Sequence, residues 1–209
     1  MKERHAGKVV VVVAGSFCLL TSSCGRHVEL ADSTATDIDG NRYRTVQIGT
    51  QVWMAENLRV TRSSRGKSVI SYSPDGDTSN VPSYGRLYDW QTALRISPRG
   101  WHIPSDEEWR VLEEHLGAVG AAKLRDTILW CTSRRSGTNE TGFSARPAGY
   151  WNESGFDNRF GFTAVFWSST QSDSHFVWSR TLSADHDTVR RARQHPQYGF
   201  SVRCVKDAE

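Results

Sequence analysis

The chain has 209 residues and a formal net charge of +3, which falls to +1 (23 basic against 22 acidic residues) once a leader carrying three basic residues and one acidic residue is removed. This near balance excludes nucleic acid as an expected partner, because binding to phosphate backbones needs concentrated positive charge. The length suits a single domain with a substantial core, and eight Trp in an aromatic share of 11% predict that indole rings fill it.

Residues 1–23 have the features of a bacterial export signal. A basic start precedes the apolar run Val9 to Leu20, which is too short to span a bilayer stably. The leader ends in Leu20-Thr21-Ser22-Ser23-Cys24, which resembles the lipobox of bacterial lipoproteins, although Thr21 departs from the usual Leu. The resemblance implies a signal peptide over 1–23, palmitate or a similar acyl chain on Cys24, and the membrane as a partner through that anchor. An ordinary secretory leader with a chance cysteine is the alternative.

The stretch after Cys24 is polar and has no hydrophobic periodicity. Residues 24–36 are therefore predicted to be a flexible tether, and residues 37–207 the domain itself. Gly25 follows the cysteine, and in lipoproteins of this type a residue other than Asp there is compatible with the outer membrane. The expected location is the cell envelope, with the periplasmic and surface faces both open.

The first predicted strands of the domain form a hairpin. Tyr43 to Ile48 and Val52 to Met54 are rich in β-formers, and Gly49-Thr50 between them suits a tight reversal. The polar segment Arg59 to Val81 follows as a long surface excursion. Within it, Asp75 to Asn80 has oxygen ligands at alternate positions but lacks the Glu that closes an EF-hand loop, so an Asp-Gly turn is the preferred interpretation. Calcium stays an unsupported candidate, and no cofactor is expected.

The central helix has the clearest local signals in the chain. Ser105 is a natural N-cap, and Glu108 three positions later completes a capping box. Gly117 suits the residue that closes the helix. An apolar stripe at helical spacing must face a core. It consists of Trp109, Leu112 and Leu116.

The remaining elements are weaker in pattern. Tyr84 to Leu94 predicts a short helical turn with Leu87, Trp90 and Leu94 on one face, and Val119 to Ile128 predicts a second, interrupted helix. Long loops pinned by aromatic side chains are expected after it. Terminal strands are predicted at Ala164 to Ser168, Phe176 to Leu182 and Gly199 to Val205. The expected fold class is α+β, a small antiparallel sheet with one or two packed helices and long aromatic-rich loops.

Six blocks of sequence, in this order along the chain, resemble the Fibrobacter succinogenes major paralogous domain. The resemblance covers about Asp37 to Asp207 and belongs to a family found mainly in exported or lipid-anchored bacterial proteins, with no established general activity. The blocks are Gly40 to Leu58, Tyr84 to Trp90, Arg99 to Trp109, Thr138 to Tyr150, Phe166 to Thr170 and Gly199 to Asp207. A more distant likeness joins His102 to Trp109 to the C-type lectin-like and formylglycine-generating-enzyme architecture, and it implies fold alone.

The resemblance also bears on the cysteines. The family usually carries a cysteine where this chain has Ser97, and that cysteine would be the natural partner of the one at Cys204. Here Cys131 is the candidate partner of Cys204, or Cys204 has none and packs as a small apolar side chain. A formylglycine-generating type of enzyme needs a reactive cysteine pair, so that activity is the least favoured hypothesis.

Binding is favoured over catalysis because the sequence contains neither a G-x-S-x-G nor an H-E-x-x-H motif. Aromatic rings beside hydrogen-bonding side chains suit a platform for carbohydrate, such as a glycan or another envelope polymer. The alternative is a purely structural envelope lipoprotein. The Arg cluster near residue 191 is a second candidate, for an anionic glycan, although a solvated basic face is its default interpretation. The candidate binding residues are Tyr150, Trp151, Asn152, Glu153, Asp157 and Asn158.

Overall fold

The computed structural model describes residues 34–131, 137–156 and 159–208. The helices in this part of the chain are α1 (Val81–Tyr84), α2 (Trp90–Ala93), α3 (Asp106–Leu116) and α4 (Gly120–Leu124). None of these described helices is long and apolar enough to cross a membrane. The strands are β1 (Thr34–Thr36), β2 (Arg42–Ile48), β3 (Gln51–Met54), β4 (Leu87–Tyr88), β5 (Trp101–His102), β6 (Trp151–Asn152), β7 (Gly155–Phe156), β8 (Thr163–Gln171), β9 (Val177–Ser183), β10 (His186–Gln194), β11 (Phe200–Ser201) and β12 (Val205–Lys206).

The strands form two five-stranded sheets and one small hairpin. The first sheet has the order β1-β2-β3-β12-β5, the second β10-β9-β8-β11-β4, and β6 pairs with β7. All pairs are antiparallel except β11 with β8. The α+β class is thus confirmed, whereas the strands form two sheets rather than the single small one expected, because β11 joins β8 and β4 while the next strand, β12, joins β3 and β5.

The predicted hairpin is present, and one further strand precedes it. β2 and β3 pair from Thr45↔Met54 to Ile48↔Gln51 across the two-residue turn. β1 pairs with the start of β2, and its middle residue Ala35 is buried against the core. The first strand of the described residues therefore starts at Thr34, inside the segment predicted to be a tether. The rest of that tether, the leader and Cys24 lie outside the described residues.

The central helix α3 has the capping predicted from the sequence. The Ser105 hydroxyl accepts from the Glu108 N–H at 3.2 Å, and the Glu108 carboxylate accepts from the Ser105 N–H at 2.8 Å. Gly117 follows the last helical residue with φ of 74°, in the left-handed region that glycine favours. The stripe of Trp109, Leu112 and Leu116 is buried. Every local signal that predicted this helix is therefore confirmed.

The second sheet has one covered face and one open face. On the covered face, the Trp109 ring lies 5.8 Å from the ring of Phe166 in β8. The buried Arg180 of β9, on the same face, pairs with Asp106 at 2.7 Å and with Glu113. Because neighbouring residues of a strand point to opposite faces, Val165 and Thr181 lie on the open face. Helix α3 therefore covers only one side of β8, β9 and β10. On the other side Trp167 packs against Phe200, with ring centroids 4.2 Å apart, and the strands beside it line a concavity.

Two predicted features differ in the structure. Leu87 lies in strand β4 rather than in a helical turn, and Leu94 is exposed, because the chain breaks into α1, β4 and α2 instead of one helical segment. Strand β10 was not predicted, since its sequence HDTVRRARQ lacks apolar alternation. Its arginines replace apolar side chains: Arg191 lies over the ring of Trp178 at 3.2 Å.

The last strands connect the two sheets through a buried arginine. Arg203, between β11 and β12, donates to the side chain of Asn57 at 2.7 Å and to the carbonyls of Met54, Phe143 and Ser144. Burial lowers the pKa of Arg203 to about 9, so the guanidinium stays charged at neutral pH. The hydrogen bonds satisfy this buried cation and tie the end of β3, the Asn57 side chain and the loop at Phe143 and Ser144 to one side chain.

Candidate functional site

A short extended segment at Gly149 to Asn152 divides two concavities. The Gly149 N–H donates to the Thr163 carbonyl at 2.9 Å, and Trp151 exchanges backbone hydrogen bonds of 3.0 and 2.8 Å with Gly199. These bonds hold the segment extended, so neighbouring side chains point to opposite sides. Tyr150 lines one concavity and Trp151 the other.

The concavity on the Trp151 side, here called the acidic cleft, has a volume of about 610 Å³. Aromatic rings, carboxylates and side-chain amides line it, a mixture that suits a polyhydroxylated ligand. None of the described residues that line it is Lys or Arg. Its lining is Tyr72, Asp89, Trp90, Gln91, Trp151, Glu153, Gln171, Ser174, His175, Phe176, Val177, Pro196 and Gln197.

Two stacked rings form the aromatic wall of the acidic cleft. Tyr72 and Trp151 lie parallel, with centroids 4.1 Å apart and 7° between their planes. Tyr72 is held by paired backbone hydrogen bonds with Leu87, of 2.8 and 2.9 Å. A Cβ at Gly199 would come within 3.1 Å of both Trp151 and Tyr72, so a larger residue there would displace the rings. The backbone bridges of Tyr72 and Trp151, together with the close approach of Gly199, therefore fix the position of the stacked rings.

The polar groups of the acidic cleft differ in whether the fold already uses their hydrogen-bonding atoms. Asp89 caps α2, since its carboxylate accepts from the Thr92 N–H at 2.7 Å and from the Thr92 hydroxyl at 3.1 Å. Burial and the Asp89 charge raise the pKa of Tyr72, which keeps its phenol a hydrogen-bond donor. Glu153, by contrast, is exposed at the rim. Its carboxylate can accept hydrogen bonds from a ligand.

The concavity on the Tyr150 side, here called the basic groove, lies on the open face of the second sheet and has a volume of about 1100 Å³. Buried Val165 and Phe200 form its floor. Tyr150 and Tyr198 stand edge-on to Phe200, at centroid distances of 6.0 and 6.2 Å. Side chains with hydroxyl and amide groups add to its lining, namely Asn152, Thr163, Thr181, Ser183, Thr188 and Gln194.

Arginine side chains give the basic groove its charge. In the described part of the chain, Arg180 and Arg191 form ion pairs with Asp106, and Arg193 with Asp173 at 3.1 Å. The groove is also lined by Arg159, by the exposed carboxylate of Asp185, and by Arg190, which lies in the cross-strand row Val165, Thr181, Arg190. The Arg cluster that the sequence indicates is thus mostly neutralised by the fold.

The structure splits the candidate binding residues between the two concavities. Tyr150 and Asn152 line the basic groove, whereas Trp151 and Glu153 line the acidic cleft. The remaining two, Asp157 and Asn158, lie outside the described residues. The expected single platform is therefore not formed by the four that are described, because strand alternation sends successive side chains to opposite faces.

Several site residues have no signal in the sequence near Trp151. Tyr72 lies in the long polar excursion, whose pattern predicts no binding residue. The pattern at Phe176 predicts only a strand. The contact between Tyr72 and Trp151 depends on two separate backbone bridges, Tyr72↔Leu87 and Trp151↔Gly199. Predicting the contact between Tyr72 and Trp151 would have required a related protein of known fold.

The family is decided by comparison with known sequences. The model of the Fibrobacter succinogenes major domain matches residues 46–206, most of the chain. The chain belongs to this family. No significant match was found among curated proteins or among solved structures. The resemblance drawn from the six sequence blocks is therefore confirmed.

The cysteines of this Fibrobacter succinogenes major domain do not pair with each other. Both described cysteines are free, with Cys131 exposed and Cys204 buried. Of the two alternatives drawn from the sequence, the structure has the second, in which Cys204 has no disulfide partner. Instead, the Cys204 Sγ lies 3.6 Å from the Oγ of Ser97, the position where the family usually has a cysteine. Burial raises the pKa of Cys204 to about 12, so its thiol stays protonated.

Titratable side chains in the described part of this family member do not gather into a metal site. Among the described residues, no group of three or more His, Cys, Asp or Glu could hold a metal ion. His186 begins β10, and its carbonyl and the Asp187 carboxylate accept from buried Arg125 at 2.7 and 2.8 Å. These contacts fix the turn between β9 and β10, which gives the segment a structural role.

Proposed function

We propose that the chain is a ligand-binding module of the bacterial cell envelope that acts without turnover, and that its acidic cleft binds a neutral carbohydrate. The observation that carries the proposal is the Tyr72–Trp151 stack on the wall of a cleft of about 610 Å³. Aromatic faces pack against the apolar faces of sugar rings, while carboxylates and amides accept and donate hydrogen bonds to hydroxyls. The cleft offers both kinds of group.

The charge of the cleft supports a neutral ligand. Asp89 and Glu153 line it, and no described Lys or Arg lining residue balances them. An anionic ligand would be repelled there, since like charges in a partly desolvated site cost free energy. The carboxylates suit the hydroxyl groups of an uncharged sugar, which donate hydrogen bonds to them. The proposal does not require calcium, and the glycan experiment tests calcium as a separate condition.

The proposed anchor rests on the sequence. The apolar run ending in Leu20-Thr21-Ser22-Ser23-Cys24 places a cysteine at the end of an export signal. An acylated Cys24 would hold the domain at the outer membrane, in reach of envelope or external glycans. A structural envelope lipoprotein is the competing proposal, and it predicts no saturable ligand.

Replacing the exposed part of the aromatic wall tests the binding proposal. The full-length protein, purified in detergent, is applied to an array of neutral glycans with and without calcium. We expect Trp151→Ala to abolish binding to the glycans that the wild type retains, because the stacking face is lost. Its melting temperature should fall by only a few degrees, since Trp151 is half-buried.

Two further variants make the result specific. Trp101→Ala removes an equally half-buried indole from β5, outside the cleft, and should keep binding. Glu153→Gln changes an exposed rim group and should weaken binding without affecting folding. A wild type that retains no glycan under either condition, or a Trp101→Ala loss equal to that of Trp151→Ala, would overturn the cleft assignment and favour the structural lipoprotein.

The anchor has its own test. Cys24→Ser should move the protein from the membrane fraction to the soluble fraction, and only the wild type should incorporate a palmitate analogue. A Cys24→Ser protein that pellets with membranes, together with an unlabelled wild type, would contradict the lipoprotein assignment.

A further inference from the structure

The basic groove carries an inference separate from the acidic cleft. It lies on the other side of the Gly149 to Asn152 segment. Its lining residues include Arg159 and Arg190, and none of them lines the acidic cleft. We propose that the basic groove is a second binding site, for an acidic polysaccharide whose sugar rings carry carboxylates. The proposal does not depend on a ligand in the acidic cleft.

Unpaired charge is the first argument. In the described part of the chain, each of Arg180, Arg191 and Arg193 has a carboxylate partner supplied by another element. For Arg159 and Arg190 no ion pair is formed with a described residue, although both line the groove. Guanidinium groups present paired N–H donors that match a carboxylate in bidentate geometry. Two such groups, against the single carboxylate of Asp185 among the described lining residues, leave positive charge that suits a ligand with repeated carboxylates.

The shape and floor of the groove are the second argument. The floor of Val165 and Phe200 is apolar, and the edges of Tyr150 and Tyr198 rise beside it. Hydroxyl and amide side chains line the walls. A chain of sugar rings meets all three conditions, because each ring has apolar faces, hydroxyls at its edge and, in an acidic sugar, a carboxylate.

The same features disfavour nucleic acid. A net charge of +1 after removal of the leader does not supply the positive field that phosphate backbones require. The tyrosines also meet Phe200 edge-on, so they do not form an open stack of rings for successive bases. The structure therefore favours the polysaccharide, and an oligonucleotide becomes an outcome of the test.

Matched polymers test the proposal. Full-length protein in detergent is titrated with polygalacturonate, with the same polymer after reduction of its carboxyl groups, and with dextran sulfate against dextran. We expect binding to polygalacturonate that weakens as salt rises, and no binding to the reduced polymer. Binding to dextran sulfate but not to polygalacturonate would assign the groove to sulfate esters and overturn the carboxylate class. Tighter binding to a single-stranded oligonucleotide would overturn the glycan assignment.

Charge-matched variants locate the site. Arg159→Gln and Arg190→Gln should each weaken polygalacturonate binding about tenfold, the effect of losing one charged hydrogen-bonding group. Arg99→Gln removes the same charge from an exposed position outside the groove and should change the affinity by less than about twofold. Trp151→Ala should leave this binding intact, which separates the groove from the cleft. Equal losses in Arg99→Gln and Arg190→Gln would show binding by overall charge and overturn the site.

Discussion

Aromatic side chains have opposite environments at the two ends of this domain. Around α3, Trp53 and Trp109 are fully buried, and their rings lie 4.8 Å apart. Around β6, Tyr150 and Trp151 are half-buried and line open concavities. We call these the packed end and the open end.

The difference shows what an aromatic-rich composition can mean. At the packed end the polar edges of the indoles are satisfied inside the protein: the Trp109 N–H donates to the Trp167 carbonyl at 3.3 Å, and the Trp53 N–H to the Gln51 side-chain oxygen at 3.2 Å. At the open end the rings rest on a backbone segment with solvent beside them. The first arrangement stabilises the fold, and the second leaves surface for a ligand.

The largest expected effect separates the two ends directly. Trp109→Ala should lower the free energy of unfolding by about 3–5 kcal/mol, because deleting a buried indole leaves a cavity. Denaturant titration of both proteins measures the change, with Trp151→Ala as the matched substitution at the open end. Equal midpoints for wild type and Trp109→Ala would mean that the indole is not part of the core.

A second substitution should strengthen the buried core around Cys204. Ser97→Cys places a second thiol beside Cys204, where Oγ and Sγ are now 3.6 Å apart. The resulting disulfide should raise the free energy of unfolding by about 2–4 kcal/mol, since it closes a long loop of the unfolded chain. Thiol labelling of the unfolded protein reports whether the bond forms, and Ser97→Ala controls for loss of the hydroxyl. Labelling of three thiols in the domain under oxidising conditions, rather than of Cys131 alone, would show that the geometry does not permit the bond.

Removing the cap of α3 should have a smaller effect on stability at the packed end. Ser105→Ala should cost about 1 kcal/mol, because the N–H of Glu108 loses its acceptor. Ser105→Asp keeps an acceptor and should stay near the wild-type value. The comparison uses denaturation midpoints, and a Ser105→Asp as unstable as Ser105→Ala would contradict a capping role.

The smallest expected effect depends on pH. Burial lowers the pKa of His102, but hydrogen bonds to Asp207 and Glu108, of 2.6 and 2.8 Å, raise it more, so it lies above the usual 6.5. A group with a raised pKa in the folded state adds stability that is fully present below the unfolded-state pKa and disappears as pH rises through the folded one. Melting temperatures should therefore decline from about pH 6.5 upward in the wild type. In His102→Gln this component of the slope should be missing, and an unchanged slope would refute the linkage.

The sequence predicts the packed end well because its signals are local. Ser105, Glu108 and Gly117 lie within one helix, and Gly49-Thr50 alone specifies the hairpin. The sequence does not predict strand β10, because it lacks the apolar alternation of a half-buried strand. Arg191 and Arg193 cover the rings of Trp178 and Phe176 instead. Its strand character comes from pairing with β9 rather than from its own residues.

The open end was predicted in composition but not in arrangement. Aromatic and polar residues near Tyr150 indicate a binding surface, yet their division between two concavities depends on bridges to Gly199 and Ala164. Tyr72 reaches Trp151 through a bridge to Leu87, and nothing close to either residue in the sequence encodes that contact. Long-range pairing therefore sets the site, and local patterns do not report it.

The pairing of β1 with β2 limits how far the domain can move from a lipid anchor. The sheet holds the chain from Thr34 onward, so ten peptide units separate it from Cys24. Fully extended, they reach at most roughly 35 Å. If Cys24 carries the proposed acyl chain, Thr34 would lie at most that far from the lipid, and both concavities at most that distance plus the width of the domain. Polymers that lie along the membrane surface would be within reach there, whereas ligands farther out would have to approach it.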